Sequence, residues 1–209
     1  MANKNCVLRL SRYKNSLLKL KSLGFVRIFS ENLADSVGVT AAQVRKDFSI
    51  FEIRGNRRGG YQIDQLITQI REILGKDKVH EFILVGIGNL GKALISYPGF
   101  EKSGINIVAG FDIDSAKMKS ETKVPIMPLE EIEGYIQKKQ IKFGIIAVPD
   151  FAAQQVCQIM VNSGVKGILN FAPIRLKVPE DCVVRNINLE TELESIIYFV
   201  NVTNKEDSQ

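Results

Sequence analysis

A single histidine and three cysteines, Cys6, Cys157 and Cys182, leave this sequence poor in metal donors. The cysteines are far apart, odd in number and without CxxC spacing, which argues against a disulfide framework and against a zinc site. Their expected role is burial as small apolar groups, with Cys157, in a helical pattern, left open as a redox-sensitive thiol. Long apolar runs are missing too. None approaches the roughly 18 residues of a membrane span, and the opening MANKNCVLRLSRYK lacks the apolar segment of a signal peptide. A cytoplasmic protein with no membrane partner is expected. Repeats and low-complexity tracts are absent, apart from the polar end NKEDSQ.

With 45% hydrophobic and 24% charged residues, the chain of 209 has material for real cores, and its length suits two compact units. Charge divides them. Residues 1–78 carry 15 Lys/Arg against 7 Asp/Glu, net +8, while residues 79–209 carry 13 against 16, net −3. The asymmetry implies that the first unit meets a polyanion and the second does not; a merely solvated basic surface is the alternative.

The first segment reads as helices. Val7, Leu10, Leu17, Leu18 and Leu20 recur at helical spacing and Gly24 is a stop. Ser30 is expected to cap a second helix that ends at Gly38. Thr40 and Gln43 in TAAQVRKDF have capping-box spacing for a third helix, which would present Gln43, Arg45 and Lys46 beside apolar Val44 and Phe48. A helix–turn–helix reader needs that pattern, because polar and cationic side chains must reach base edges and phosphates while the other face packs. FEIRGNRRGGYQI then reads as two short strands around an arginine-rich tip, a wing whose Arg54, Arg57 and Arg58 would touch phosphates or an adjacent minor groove. An ordinary hairpin with soluble arginines is the alternative. A helix from Asp64 to Leu74, Gly75 and the linker 76–78 close the unit.

From His80 onward, apolar strands alternate with helices: EFILVG, a helix from Asn89 toward Tyr97, INIVAGFD, a helix from Pro128 to about Lys139, KFGIIAV, a helix from Asp150 to Ser163, KGILNF and a last strand near CVVRNI. Continuous apolar strands separated by helices mean a parallel sheet covered on both faces. The expected class is α/β, with a winged helix in 1–78, a Rossmann-like domain in 79–187 and a terminal helix with polar tail in 188–209.

Gly86, Gly88 and Gly91 fall where a strand turns into a helix, and Asp112 ends the next strand. This is the dinucleotide fingerprint in full context: one glycine for the turn, one for the approach of the pyrophosphate, one for helix–strand packing. The helix N-terminus adds free amides and a positive dipole end. Asp112 would accept the adenosine ribose and repel a 2′-phosphate, favouring NAD(H), although Asp114 and Lys117 lie close by; a turn cap is its other reading. A hydride-transferring enzyme also needs an acid/base near the nicotinamide. His80 precedes the first strand at the wrong end of the sheet, Lys166 precedes a strand, and Tyr97 is the one phenol near the cofactor turn.

Taken together, AAQVRKD, GNRRGGY, VGIGNLGKALISYPGF, GFDID, IIAVP and GVKGILNFAP make the chain resemble the Rex family of redox-sensing transcriptional repressors, from about Val7 to Phe199. The resemblance implies a homodimer with N-terminal winged helices, central Rossmann domains and a C-terminal helix exchanged between subunits. It also implies binding to palindromic operators in double-stranded DNA and release by NADH. By motif match, Gly86, Gly88, Asn89, Leu90 and Gly91 would hold the pyrophosphate and Asp112 the ribose. Ala147, Val148 and Pro149 would line the cofactor, with Asn170, Phe171, Pro173 and Tyr97 near the nicotinamide. Thr40 opens the helix that would enter DNA.

The terminal helix has an apolar stripe, Leu189, Leu193, Ile196 and Val200, to be buried on its own domain or, as the resemblance implies, on a partner. The chain also departs from the family, which has arginine and aspartate at the places of Asn15 and Asn188, a glycine at Glu52 and a leucine at Phe48. An altered redox response or operator preference is expected. Two rivals stay open: an NAD-dependent oxidoreductase with an accessory N-terminal domain, and a DNA-binding protein that keeps NAD as a non-switching structural cofactor.

Overall fold

The computed structural model describes residues 4–56, 58–119 and 122–206. Arg57, at the expected wing tip, and the end of the polar tail lie outside the described residues. The chain divides into two compact units, Met1–Lys78 and Val79–Gln209.

The first unit is built on α1 (Lys4–Ser22), β1 (Arg27–Ile28), α2 (Ser30–Val37), α3 (Ala41–Ile50), β2 (Tyr61–Gln62) and α4 (Ile63–Ile73). The buried face of α1 is Cys6, Leu10, Tyr13 and Leu17, whereas Val7 and Leu18 of the expected stripe are 40% and 44% exposed. The spacing of the buried four is the helical repeat itself, and a tyrosine and a cysteine fill it where aliphatic side chains were expected. Lys14 is buried with them at 7% exposure. Burial, then the neighbouring charges of Lys76 and Arg71, lower its pKa to about 8.

Between α2 and α3 the chain turns at Gly38 with φ 70. Ser30 is not the cap expected of it. Phe29 holds that place without a side-chain bond, and Ser30 is already helical. Thr40 does cap α3, its hydroxyl accepting from Gln43 N–H at 3.1 Å. The segment read as the first strand of the wing is not a strand: Phe51 closes α3 and Glu52 turns left-handed at φ 57. Instead β2 pairs antiparallel with β1, and the tip is closed by a lone bridge between Asn56 and Gly60. Asn56 Oδ1 accepts from Arg58 N–H at 2.8 Å and Gly59 N–H at 3.2 Å, an Asx turn that shapes the tip.

The second unit contains β3 (His80–Val85), α5 (Asn89–Ser96), α6 (Pro98–Lys102), β4 (Ile105–Asp112), β5 (Ile126–Pro128), α7 (Ile132–Lys139), β6 (Phe143–Ile146), α8 (Asp150–Asn162), β7 (Gly167–Asn170), β8 (Val183–Asn186) and α9 (Leu189–Glu206). Its strands form one parallel sheet in the order β5-β4-β3-β6-β7-β8. Apolar clusters lie on both faces, Ile83, Val85 and Phe111 with Met160 on one and Leu84, Ile107 and Ile145 with Ile95 on the other. The helix expected from Pro128 starts as a 3-10 turn and becomes α-helical at Ile132, because Ile126–Pro128 forms an edge strand on β4.

From β3 the chain crosses to β4 on one side, and β6 adds on the other. The crevice at the carboxyl ends of β3 and β6 is therefore the topological switch point, where open α/β sheets bind ligands. At the end of the chain, α9 projects Leu189, Leu193, Ile196 and Val200 outward, each more than half exposed. Its stripe is not packed on its own domain.

Candidate functional site

At the switch point lies a cavity of about 520 Å³, walled by Gly86 and Gly88 after β3, Asp112 and Lys117 after β4, and Ala147, Val148 and Pro149 after β6. The two outer glycines of the turn are structural. Gly86 has φ +96, and a Cβ there would stand 2.4 Å from Ala147 O; one on Gly91 would stand 2.1 Å from Gly86 O. Gly88 differs: a Cβ on it would meet nothing within 4 Å. The fold leaves that space free above the first turn of α5, whose amides at Asn89, Leu90 and Gly91 face no acid in that turn and have no side-chain cap. An anion has room and donors there, and a pyrophosphate fits the cradle.

Asp112 is 6% exposed, at the end of β4. Its Oδ2 accepts from Ile87 N–H at 2.6 Å and Lys117 Nζ at 2.9 Å, and its Oδ1 from Asp114 N–H at 3.0 Å. Burial disfavours the charged carboxyl, but the amides of Asp114 and Ile87 and the Lys117 ammonium outweigh it and hold the pKa below the usual carboxylate value. Asp114 itself accepts from Ala116 N–H at 3.0 Å and shapes the following 3-10 turn. Asp112 is thus both the ring-fence of the glycine turn and an ionised acceptor at the cavity wall.

Of the wall residues that escaped the sequence reading, two stand out by their exposure. Ile113 and Phe151 are 80% and 86% exposed, and both line the cavity. The only available signal was position, one residue past Asp112 and two past Pro149, since an exposed apolar residue reads like a core one until the fold is known.

Other expected residues fall elsewhere. Asn170 is fully buried. Its amide donates to Ala172 O, Ile174 O and Asn186 Oδ1 at 3.0 to 3.1 Å, and its oxygen accepts from Ala172 N–H. It fastens the loop after β7 to β8. Phe171 and Pro173 follow β7, one strand beyond the cavity wall. Tyr97 ends α5, packs edge-on against Phe100 with centroids 5.0 Å apart, and faces Ile105 and Asn106 at the start of β4. Because α5 runs antiparallel to the strands, that is the sheet end opposite the glycine turn.

Asn188 is a helix cap here. Its Oδ1 accepts from Glu190 N–H at 3.0 Å and Thr191 N–H at 3.3 Å, the first turn of α9. Asn15 is exposed on α1. All three cysteines are free and buried, and burial, then the charge of Cys182, pushes Cys157 up to about 11, which favours the unreactive thiol.

In the first unit, Asp47 of α3 is fully buried. Arg9 of α1 grips it with two bonds of 2.6 and 2.7 Å, Tyr13 donates at 2.8 Å, Gln43 Nε2 at 2.7 Å and Cys6 Sγ at 3.4 Å. Burial opposes its charge, and these donors overcome that and depress its pKa. The network fixes α3 on α1. It also takes the Gln43 side chain, which does not reach back to complete the capping box.

On the outer face of α3, Lys46 is exposed and Arg45 pairs with Glu31 of α2 at 2.9 Å. Both partners of that pair are more than half exposed, so the bond yields readily to a phosphate. Arg54 and Arg58 are exposed at the wing. Positive side chains thus lie on the helix and loop that a groove would meet. Among the described residues no helix is long and apolar enough to cross a membrane, and no group of acidic, histidine or cysteine side chains could hold a metal.

Two family models match: a putative DNA-binding protein N-terminus at residues 4–49 and a CoA binding domain at residues 77–174. The chain is 40% identical over 200 residues to the "Redox-sensing transcriptional repressor Rex" of Desulforamulus reducens, covering 95% of each. To the same-named protein of Carboxydothermus hydrogenoformans it is 40% identical over 193 residues, 92% of this chain and 93% of that one. Among solved structures it is similar to RSP, a Rex-family repressor, at 35% identity and a TM-score of 0.91, covering 100% of this chain and 98% of that one. RSP in complex with NAD⁺ and operator DNA gives a TM-score of 0.93, with 100% of this chain and 96% of that one covered.

Proposed function

The chain belongs to the Rex family of redox-sensing transcriptional repressors, and from that premise we propose how its two units divide the work. The first unit holds operator DNA, with α3 in the major groove and the wing arginines on the backbone. The second takes NAD(H), and its NADH-bound form lets the operator go. The carrying observation is the union in one chain of a basic helix–turn–helix and a glycine turn with open space at Gly88.

The wall residues divide by chemistry. Asn89, Leu90 and Gly91 amides hold the pyrophosphate and Asp112 holds the adenosine ribose, so NAD(H) is preferred over its 2′-phosphorylated form. Ile113 and Phe151 cover the adenine, which accounts for two large apolar side chains left bare at the cavity mouth. Ala147, Val148 and Pro149 follow the cofactor toward the nicotinamide. Reduced nicotinamide is neutral and oxidised nicotinamide cationic, so an apolar surround such as Phe171 and Pro173, supplied within an assembled dimer, desolvates the reduced form at lower cost. α9, with its stripe uncovered, is exchanged with a second copy to make the homodimer that a palindromic operator requires. The protein acts in the cytoplasm, where the operator is.

If NADH binds the released form better than the DNA-bound one, a coupling free energy of about 1–3 kcal/mol gives roughly 5 to 150-fold relief of operator affinity. The relatives are repressors over nearly their whole length, and this displaces the oxidoreductase reading.

Fluorescence anisotropy of a labelled duplex from the gene's upstream region, titrated with NADH and with NAD⁺ at fixed salt, tests the reading. Release at much lower NADH than NAD⁺ is expected. Tight binding indifferent to both would leave a DNA-binding protein with a structural cofactor and overturn the sensor.

A further inference from the structure

Gln43 stands where the buried and exposed faces of α3 meet, half-buried, with Ala42 and Lys46 on its exposed side and Asp47 one turn ahead. Its backbone N–H is held by Thr40 Oγ1 at 3.1 Å and its side-chain nitrogen by Asp47 Oδ1 at 2.7 Å. Asp47 has no proton to give. It already accepts from Arg9, Tyr13 and Cys6, and it is fully buried beside the Arg9 guanidinium. A carboxylate in that setting only accepts, so the amide facing it must present its NH₂. Turned the other way, the amide would set two acceptors 2.7 Å apart and leave a buried charge short of one donor, which the network opposes.

The orientation of Gln43 is therefore dictated from inside the domain, and its oxygen, together with the one side-chain N–H that Asp47 does not take, is left for the outside. We propose that Gln43 is a hydrogen-bond acceptor at the DNA interface and reads an exocyclic amino group in the major groove, N6 of adenine or N4 of cytosine. An unrestrained glutamine can turn either end to a base edge. Here Asp47 acts as a positioning residue, and Gln43 does not read thymine O4, guanine O6 or guanine N7 through its oxygen.

This rests on α3 being the helix that enters the groove. Every base pair carries one amino group and several acceptors in its major groove, so the contacted atom, not the consensus, decides the matter. The experiment begins with selection of bound duplexes from a random-sequence pool by the full-length wild-type chain, by Gln43→Met and by Lys46→Ala. At the position where Gln43→Met loses preference, the amino-bearing base is then replaced by its des-amino analogue, purine for adenine or 2-pyrimidinone for cytosine. The analogue weakens base pairing for both proteins, so the difference between them isolates the contact.

The expected result is a loss of about fivefold for wild type beyond that for Gln43→Met, the size of one neutral hydrogen bond. Equal losses for the two proteins would overturn the proposal. So would a Gln43→Met consensus identical to wild type while Lys46→Ala still loses binding, an outcome that spares α3 as the reading helix. Failure of the wild-type chain to enrich any sequence would bring down both. If Gln43→Met does not fold, titrating wild type with the analogue at each half-site position still decides: a position where amino deletion costs nothing beyond mispairing in any half-site refutes the contact there, and such a result at every position refutes it altogether.

Discussion

Lys117 Nζ stands 2.9 Å from Asp112 Oδ2, the same carboxylate oxygen that Ile87 N–H holds at 2.6 Å. In the proposed cofactor site, lysine and an incoming ribose hydroxyl would compete for that oxygen. Lys117→Met is expected to tighten NADH about threefold, and Asp112→Asn to weaken it about tenfold while narrowing the gap between NADH and NADPH. Calorimetric titration with each nucleotide measures both; unchanged nucleotide preference in Asp112→Asn would remove the carboxylate from the ribose site.

The glycines of the turn separate folding from binding. Gly91→Ala forces a Cβ to 2.1 Å from Gly86 O and should unfold or grossly destabilise the second unit. Gly88→Ala finds open space, so its thermal transition should match wild type within about 1 kcal/mol while NADH affinity drops at least tenfold. Scanning calorimetry with and without NADH distinguishes the two.

Asp47→Asn removes the charge that two Arg9 bonds and the Tyr13 hydroxyl serve, and is expected to cost on the order of 3 kcal/mol. The folded carboxyl lies below its unfolded pKa, so this stability is full above roughly pH 4 and is lost as pH falls through the folded value. Urea denaturation between pH 3 and pH 7 should show a steeper acid decline in wild type than in the variant.

Lys14 carries the opposite sign. Its pKa falls from 10.5 to about 8 on folding, so the charged form is penalised below pH 8 and the penalty fades as pH rises to the unfolded value. Lys14→Met should add on the order of 1–2 kcal/mol at pH 7 and nothing above about pH 10.5.

Glu52 sits at φ 57, a conformation that costs residues with a Cβ about 1–2 kcal/mol. Glu52→Gly relieves it but loosens the unfolded chain, and a net gain of up to about 1 kcal/mol is expected in equilibrium denaturation. A loss would mean that the Glu52 side chain makes a compensating contact.

How far the sequence carried varies from residue to residue. The strand–glycine–helix–strand–Asp112 order was legible because each step has its own local chemistry, and so was the Thr40 cap. FEI read as a strand because an apolar–charged–apolar triplet does not distinguish a helix exit from a strand start. Tyr97 was placed near the nicotinamide by motif match alone; within one subunit α5 carries it to the end of the strands opposite the glycine turn. Asn170 looked like a ligand contact, yet a buried asparagine at a strand end serves its own loop equally well, and only its partners tell the two apart. The Gln43–Asp47 bond was invisible for the same reason: a charge buried by a distant helix leaves no trace in the spacing of its neighbours.

The bare stripe on α9 reaches beyond geometry. A subunit that leaves Leu189, Leu193, Ile196 and Val200 in water cannot be as well folded alone as in company. Its stability becomes a matter of dosage: dilute the protein and the same sequence is worth less. If α9 is exchanged as proposed, a cell that makes few copies would hold part of them as solitary chains, and expression level would set how much of the protein is paired before any nucleotide acts.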